Sequence, residues 1–132
     1  METTLSTTTG LDFDNAVAAT RVALAEQGFG VLTEIDVQAT MKAKLDADLD
    51  PYLILGACNP PLAHQALAVD PAIGLLLPCN VVVRRSEGAT LVQAMDPQLL
   101  VDVAGEPALK AVADEAARRL SAALDRLPKA AA

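Results

Sequence analysis

The sequence predicts an α+β protein in which helices pack on one face of a mostly antiparallel sheet, with a β-α-β opening and a long C-terminal helix. Three observations support this prediction. Short runs of β-branched and aliphatic residues recur between turn signals, which is typical of strands. Apolar residues with helical spacing follow the capping residues Asp12, Asp36 and Asn59. The longest helical pattern starts after Pro107 and reaches Pro128.

The chain is predicted to open with a strand, a helix and a second strand. Residues 3–9 and residues 29–35 are rich in β-branched and apolar side chains, as strands are. Asp12 is a good N-cap for the helix between them, and Gly28 supplies the left-handed residue that ends it. The apolar face of this helix comprises Phe13, Ala16, Val17, Thr20 and Leu24.

Two further helices are predicted around a third strand. Asp36 can cap a helix over residues 37–45, and a short buried strand is expected over residues 52–57. Asn59 is a preferred N-cap and Pro60 suits the first helical position, which predicts a helix that continues through residue 68. The apolar face of the helix that Asp36 caps comprises Val37, Met41 and Leu45.

The second half of the chain is predicted to contain a hairpin. Its strands are expected over residues 75–85 and residues 90–95, with Gly88 taking the positive φ of a bulged loop between them. The Asp-Pro pairs at residues 70–71 and residues 96–97 combine a capping residue with a proline, and they mark turns or short helices.

The final helix is predicted to run from Pro107 to Pro128, and residues 129–132 are expected to fray. A chain of 132 residues buries about two thirds of its unfolded surface, which is enough for one core. Because no linker or internal repeat interrupts the pattern, residues 1–132 are predicted to form a single domain.

Composition and charge argue against several classes of partner. Ten basic and seventeen acidic residues give a net charge of −7, which repels phosphate backbones, so nucleic acid is not expected to bind. The longest apolar stretch, residues 72–83, is too short to cross a bilayer and is predicted to be a buried strand. The N-terminus lacks the pattern of a secretory signal. We therefore expect a cytoplasmic protein without a membrane partner, whose two cysteines are thiols.

The two cysteines, each followed by asparagine, mark the candidate site. Cys58 precedes the helix expected at Asn59, where free amide groups and the helix dipole stabilise a thiolate, so Cys58 is the candidate catalytic nucleophile. Cys79 follows a proline in an apolar run, next to an expected bulge or sheet edge. Either residue could instead belong to the core, because free cysteine is among the most frequently buried residue types.

Other residues could complete a metal or acid-base site. Cys58, His64 and Cys79 form a candidate soft three-ligand set for zinc, copper or iron, or pair a thiolate with a base. Their spacing matches no zinc motif, and a lone histidine is more often a surface residue. Glu34 and Asp36 would share one face of a strand and could hold a hard cation, although Asp36 is more often simply a helix cap.

These segments resemble the domain of unknown function 302 family of small bacterial and archaeal proteins. The resemblance rests on GFGVLTEIDV at residues 28–37, LGACNP with Ala63-His64 at residues 55–64, and GLLLPCNVVV at residues 74–83. It spans roughly residues 11–100 and implies an α+β fold and a homodimer, without any established activity. It supports one candidate site comprising Glu34, Asp36, Cys58, Asn59, His64, Cys79 and Asn80.

Two classes of function remain open from the sequence. The first is a small cytosolic binding module that holds a soft metal ion, a cofactor or a small ligand at this Cys/His/carboxylate site. Its candidate ligand-binding residues outside the metal set are Glu34, Asp36, Asn59 and Asn80. The second is a thiol-dependent enzyme or sulfur carrier that uses Cys58. A non-catalytic dimeric scaffold is a third alternative.

Overall fold

A five-stranded antiparallel sheet organises residues 4–131, the part of the chain that the computed structural model describes. Its strands are β1 (Thr4–Thr9), β2 (Gly30–Asp36), β3 (Tyr52–Cys58), β4 (Cys79–Ser86) and β5 (Ala89–Met95). They lie in the order β1-β5-β4-β3-β2, and every neighbouring pair is antiparallel. The predicted α+β class is therefore confirmed.

The helices of this part of the chain precede, connect and follow the strands. They are α1 (Phe13–Glu26), α2 (Val37–Leu45), α3 (Pro60–Val69), α4 (Gln98–Ala104) and α5 (Lys110–Asp125). Short 3-10 segments occupy Pro71–Leu76 and Pro107–Leu109. No helix among residues 4–131 is long and apolar enough to cross a membrane.

Helices α1 and α5 pack on one face of the sheet and form the main core with it. Alternate residues of the three central strands point into this core and are at most 5% exposed: Leu53, Leu55, Ala57, Val81, Val83, Val92 and Ala94. The helices contribute three alanines, Ala16, Ala23 and Ala123, together with the leucines Leu24, Leu120 and Leu124. Small side chains let helix and sheet backbones approach closely at the high packing density of protein interiors.

The other face of the sheet, which we call the open face, is less covered. Its residues alternate with the core residues along the central strands and are all partly exposed: Tyr52, Ile54, Val82, Arg84, Leu91 and Gln93. Within β3 and β4, apolar residues therefore lie on both faces of the sheet. A groove of about 590 Å³, described below, lies on this open face.

The chain opens with β1, α1 and β2 in the predicted order, but the two strands do not pair with each other. β1 and β2 lie at opposite edges of the sheet, separated by β5, β4 and β3. α1 is capped as predicted, since Asp12 Oδ1 accepts from the backbone N–H of Asn15 at 2.8 Å. The crossing of α1 between the two edges brings it over the central strands, where its buried face contributes to the core.

The strand predicted over residues 75–85 is wrong in its first part, because β4 begins only at Cys79. Asp70 caps a 3-10 segment instead, accepting from the backbone N–H of Ala72 at 3.0 Å. Pro78, which follows that segment, has no N–H to donate to a sheet ladder. Within the apolar run over residues 72–83, residues 72–76 consequently belong to the 3-10 segment, residues 77–78 connect it to the sheet, and residues 79–83 are strand.

Two other features differ from the prediction, namely the turn between β4 and β5 and the ends of the final helix. The β4-β5 hairpin closes with a two-residue turn in which Glu87 and Gly88 both have positive φ, rather than with a bulged loop. The final helix is preceded by the 3-10 segment and ends at Asp125, before Pro128.

In the tail, Ala130 N–H donates to Thr8 O at 3.0 Å and Lys129 Nζ donates to Thr7 Oγ1 at 2.8 Å. Fraying beyond these bonded residues stays a prediction.

Gly56 sits where three segments meet on the open face. Thr33 of β2 is its partner in register. A Cβ at Gly56 would overlap Thr33 Oγ1 and lie 2.8 Å from Pro78 Cγ. A proline ring cannot rotate away as a flexible side chain can. The absence of a side chain at residue 56 therefore allows β2 and the residue before β4 to close over β3.

Replacing Gly56 with alanine is expected to lower the free energy of unfolding by about 1–3 kcal/mol, because the new methyl group overpacks this contact. Gly30→Ala is the matched control, since a Cβ at Gly30 would meet nothing within 4 Å. Urea unfolding of both variants measures the difference. Equal stability of the two variants would contradict the close approach at Gly56.

Candidate functional site

The two cysteines lie together at the adjoining ends of β3 and β4. Cys79 pairs in register with Ala57, the residue before Cys58. Both are free thiols; Cys58 is partly exposed and Cys79 is buried. They line an apolar cavity of about 30 Å³ between the strand ends and the helices, a volume that matches about one water molecule. The cavity therefore holds no organic ligand as it stands.

The two thiols differ in their chemistry. Burial, with a smaller contribution from the neighbouring Cys58, raises the pKa of Cys79 to about 11. Cys79 is consequently protonated at neutral pH, and a protonated thiol is a poor nucleophile and a poor metal ligand. Cys58, directly before Asn59 and the start of α3, has the more accessible thiol of the pair.

Asn59 has a structural task that occupies both ends of its side chain. Its Oδ1 accepts from the backbone N–H of Leu62 at 3.3 Å, which caps α3 as predicted. Its Nδ2 donates to the backbone oxygen of Gln27 at 3.4 Å, and Arg119 Nη1 donates to the same oxygen at 3.0 Å. These hydrogen bonds connect the end of α1 with α3 and α5. Because Asn59 is also only 7% exposed, its side chain is not available to bind a ligand.

Glu34 and Asp36 lie on the exposed edge strand β2 and do not line the cavity at the two cysteines. Glu34 forms an ion pair with Arg21 of α1. Asp36 Oδ1 caps α2 by accepting from the backbone N–H of Ala39 at 2.9 Å. The register places both carboxylates on one face, as predicted, but each is engaged by a different partner.

The predicted three-ligand metal set is not assembled. His64 is exposed on α3, whereas the cavity that Cys58 and Cys79 line includes the neighbouring Leu62 and Ala63 but not His64. Among residues 4–131 no group of three or more His, Cys, Asp or Glu side chains is arranged to hold a metal ion. The lone histidine is thus a surface residue, the alternative that the sequence left open.

Asn80 belongs to a different place, a groove of about 590 Å³ on the open face. Five polar residues line it: Thr4, Tyr52, Asn80, Arg84 and Gln93. Its apolar lining includes Ile54, Val82, Met95 and Leu99. Of the seven residues predicted to form one site, only Asn80 lines this groove. Thr4, Tyr52, Arg84 and Gln93 were missed. The available signal was that polar side chains lie two positions from apolar ones along β3, β4 and β5, as Arg84 does from Val82, so that polar and apolar residues share one face.

The labelling rates of the two thiols test this description. With iodoacetamide at pH 8, Cys58 in a Cys79→Ser variant is expected to react at least about tenfold faster than Cys79 in a Cys58→Ser variant, because the Cys79 thiolate is roughly one part in a thousand at that pH. The rate at Cys79 should rise about tenfold per pH unit up to about pH 11. Equal rates, or a Cys79 rate independent of pH, would contradict it.

Comparison with known proteins identifies the family. The family model described as domain of unknown function DUF302 matches residues 4–127. A crystal structure of an uncharacterized conserved protein DUF302 from Bacillus stearothermophilus is similar to this chain, with 30% sequence identity and a TM-score of 0.90. The match covers 96% of this chain and 99% of that one. No curated protein matches this chain. The resemblance found in the sequence is confirmed, and the chain belongs to the DUF302 family.

Proposed function

We propose that this chain is a cytosolic small-molecule-binding module whose ligand occupies the groove on the open face. The observation that carries the proposal is the groove itself. Its volume of about 590 Å³ falls within the range of roughly 300–1,000 Å³ typical of ligand pockets. A mainly apolar lining with a few polar side chains is also typical of such pockets. The cavity at the cysteines, by comparison, has room for about one water molecule.

The sheet supplies a rigid floor for a ligand. Ile54 and Val82 are cross-strand partners on adjacent central strands, and both remain partly exposed. A ligand that covers them would remove apolar surface from water, which stabilises a complex by about 25 cal/mol per Å² before the costs of association. Because the backbones of β3, β4 and β5 are fixed by neighbours on both sides, this floor needs no rearrangement to bind.

Neutral 1-octanol is a suitable probe of the apolar part of the groove. In ¹⁵N-¹H correlation spectra, octanol is expected to shift amide signals of β3, β4 and β5 in a saturable manner. Val82→Trp should abolish these shifts because the indole fills the groove. Leu75→Trp is the control, since Leu75 is 88% exposed and lies outside the groove.

The outcome against the proposal is equally specific. Saturable shifts confined to residues 58–66 would move the binding site to the cysteine cavity, and the absence of saturable shifts anywhere would exclude binding of this kind of ligand in the groove. Retention of the groove shifts in Val82→Trp would also overturn the assignment.

A thiol-dependent function at Cys58 is the second candidate. It is favoured by the partly exposed Cys58 thiol directly before α3, next to the protonated Cys79. The iodoacetamide comparison bears on this candidate as well, because a slow, unreactive Cys58 would exclude it.

We also propose that the chain forms a homodimer through β2 and the region of α2. This edge carries four of the large exposed apolar side chains: Leu32, Ile35, Leu45 and Leu49. In addition, α2 has no fully buried residue, and β2 has an unpaired outer edge. Exposed apolar residues and free strand edges are typical of surfaces covered by a partner.

Sedimentation velocity at micromolar concentration tests the dimer. The wild type is expected to sediment as a dimer, and Leu45→Asp should shift it toward monomer because a buried carboxylate would lack a partner. Leu75→Asp is the matched control on another exposed leucine. A wild type that is monomeric throughout would contradict the proposal.

A further inference from the structure

We infer that the ligand of the open-face groove is an organic anion whose carboxylate or phosphate group binds Arg84 while its apolar part covers Ile54 and Val82. This inference rests on the proposed binding function of the groove and adds the chemical class of the ligand. The observations that carry it are the bonding of Arg84, the charges around it, and the polar side chains beside it.

Arg84 is only partly satisfied by the protein. Its Nε donates to Gln93 Oε1 at 2.8 Å. Within residues 4–131 it forms no ion pair, and its two terminal nitrogens have no hydrogen-bond partner. A partly buried charge is unfavourable unless an opposite charge or hydrogen bonds compensate it. The guanidinium therefore offers two donors and a full positive charge to a ligand.

The surroundings of Arg84 favour an anion. Among residues 4–131, no Asp or Glu lines the groove. Arg85, the next residue, provides a contrast, because it lines a second groove of about 420 Å³ together with Asp12, Asp50 and Glu87. Carboxylates outnumber the arginine there, as acidic residues outnumber basic ones in the whole chain, whose net charge is −7. The open-face groove is thus a locally positive place on an acidic protein.

The neighbouring side chains orient the charge and add donors. Gln93 holds Arg84 through Nε, which leaves the terminal amino groups of the planar fork for a bidentate contact with a carboxylate or phosphate. Tyr52 is the cross-strand partner of Arg84, so its hydroxyl lies on the same face. Asn80 lines the same groove and lies two residues before Val82 on β4. An anionic group and an apolar group of one ligand can therefore be bound together.

Calorimetric titrations with octanoate, octyl phosphate and 1-octanol separate charge from apolar contact. We expect octanoate or octyl phosphate to bind the wild type at least about tenfold more tightly than octanol, since charge-assisted hydrogen bonds are the strong ones. Arg84→Gln should remove that preference, so that octanoate, octyl phosphate and octanol bind the variant with similar affinity. Arg85→Gln is the matched control, because it makes the same charge change on the opposite face of β4 and should leave the preference intact.

The outcomes distinguish the two proposals. Tighter octanoate assigns a carboxylate ligand and tighter octyl phosphate assigns a phosphate monoester; either result supports the inference. Equal binding of octanol and both anions to the wild type, or an unchanged preference in Arg84→Gln, overturns the inference while groove binding stands. No binding of any probe overturns the proposed function itself. The wild-type comparison does not depend on the folding of any variant, and thermal unfolding verifies that both variants are folded.

Discussion

The packing of α1 and α5 on one face of the sheet is the constraint on which the rest of the structure depends. Both helices contribute alanines to the core, among them Ala16, Ala23 and Ala123, and large aromatic side chains are scarce in the chain. Small side chains make a thin layer, so the helices must lie close to the sheet to exclude water. A chain of this length provides one such layer, and the opposite face of the sheet is left partly exposed with Ile54 and Val82 on it.

The corner where β3 turns into α3 is held by polar contacts that give Asn59 of the first Cys-Asn pair a structural role. Asn59 and Arg119 both donate to the backbone oxygen of Gln27, which ties α3 and α5 to the end of α1. Arg119 is held in turn by Glu115, whose pKa is lowered to about 2 by hydrogen bonds from Arg118 and Arg119. Cys58 directly precedes Asn59 and therefore lies beside these contacts. The proximity of the two cysteines follows from the pairing of Ala57 with Cys79 in the β3-β4 register and does not by itself require a ligand.

Local signals in the sequence were sufficient for the elements but not for the site. Asp12, Asp36 and Asn59 cap helices as predicted because capping depends on neighbours within a few residues. The start of β4 was missed because an apolar run has the same composition in a strand and in a 3-10 segment, and Asp70 with Pro71 decided between them. The groove was missed for a different reason. Which residues of β5 lie beside Arg84 depends on the register of the β4-β5 hairpin, and the two-residue turn at Glu87 and Gly88 that sets this register was predicted as a bulged loop.

The two Cys-Asn pairs show how strand geometry separates residues that look equivalent in the sequence. Asn59 lies just past the end of β3 and points into the corner, whereas Asn80 lies within β4 and lines the open face. Successive residues of a strand alternate between faces, so Val81 and Val83 stabilise the core while Val82 and Arg84 line the groove. The core and the proposed ligand groove thus lie on opposite faces of the same strands. The polar residues of the groove can therefore differ in chemistry without disturbing the core that the sheet forms with α1 and α5.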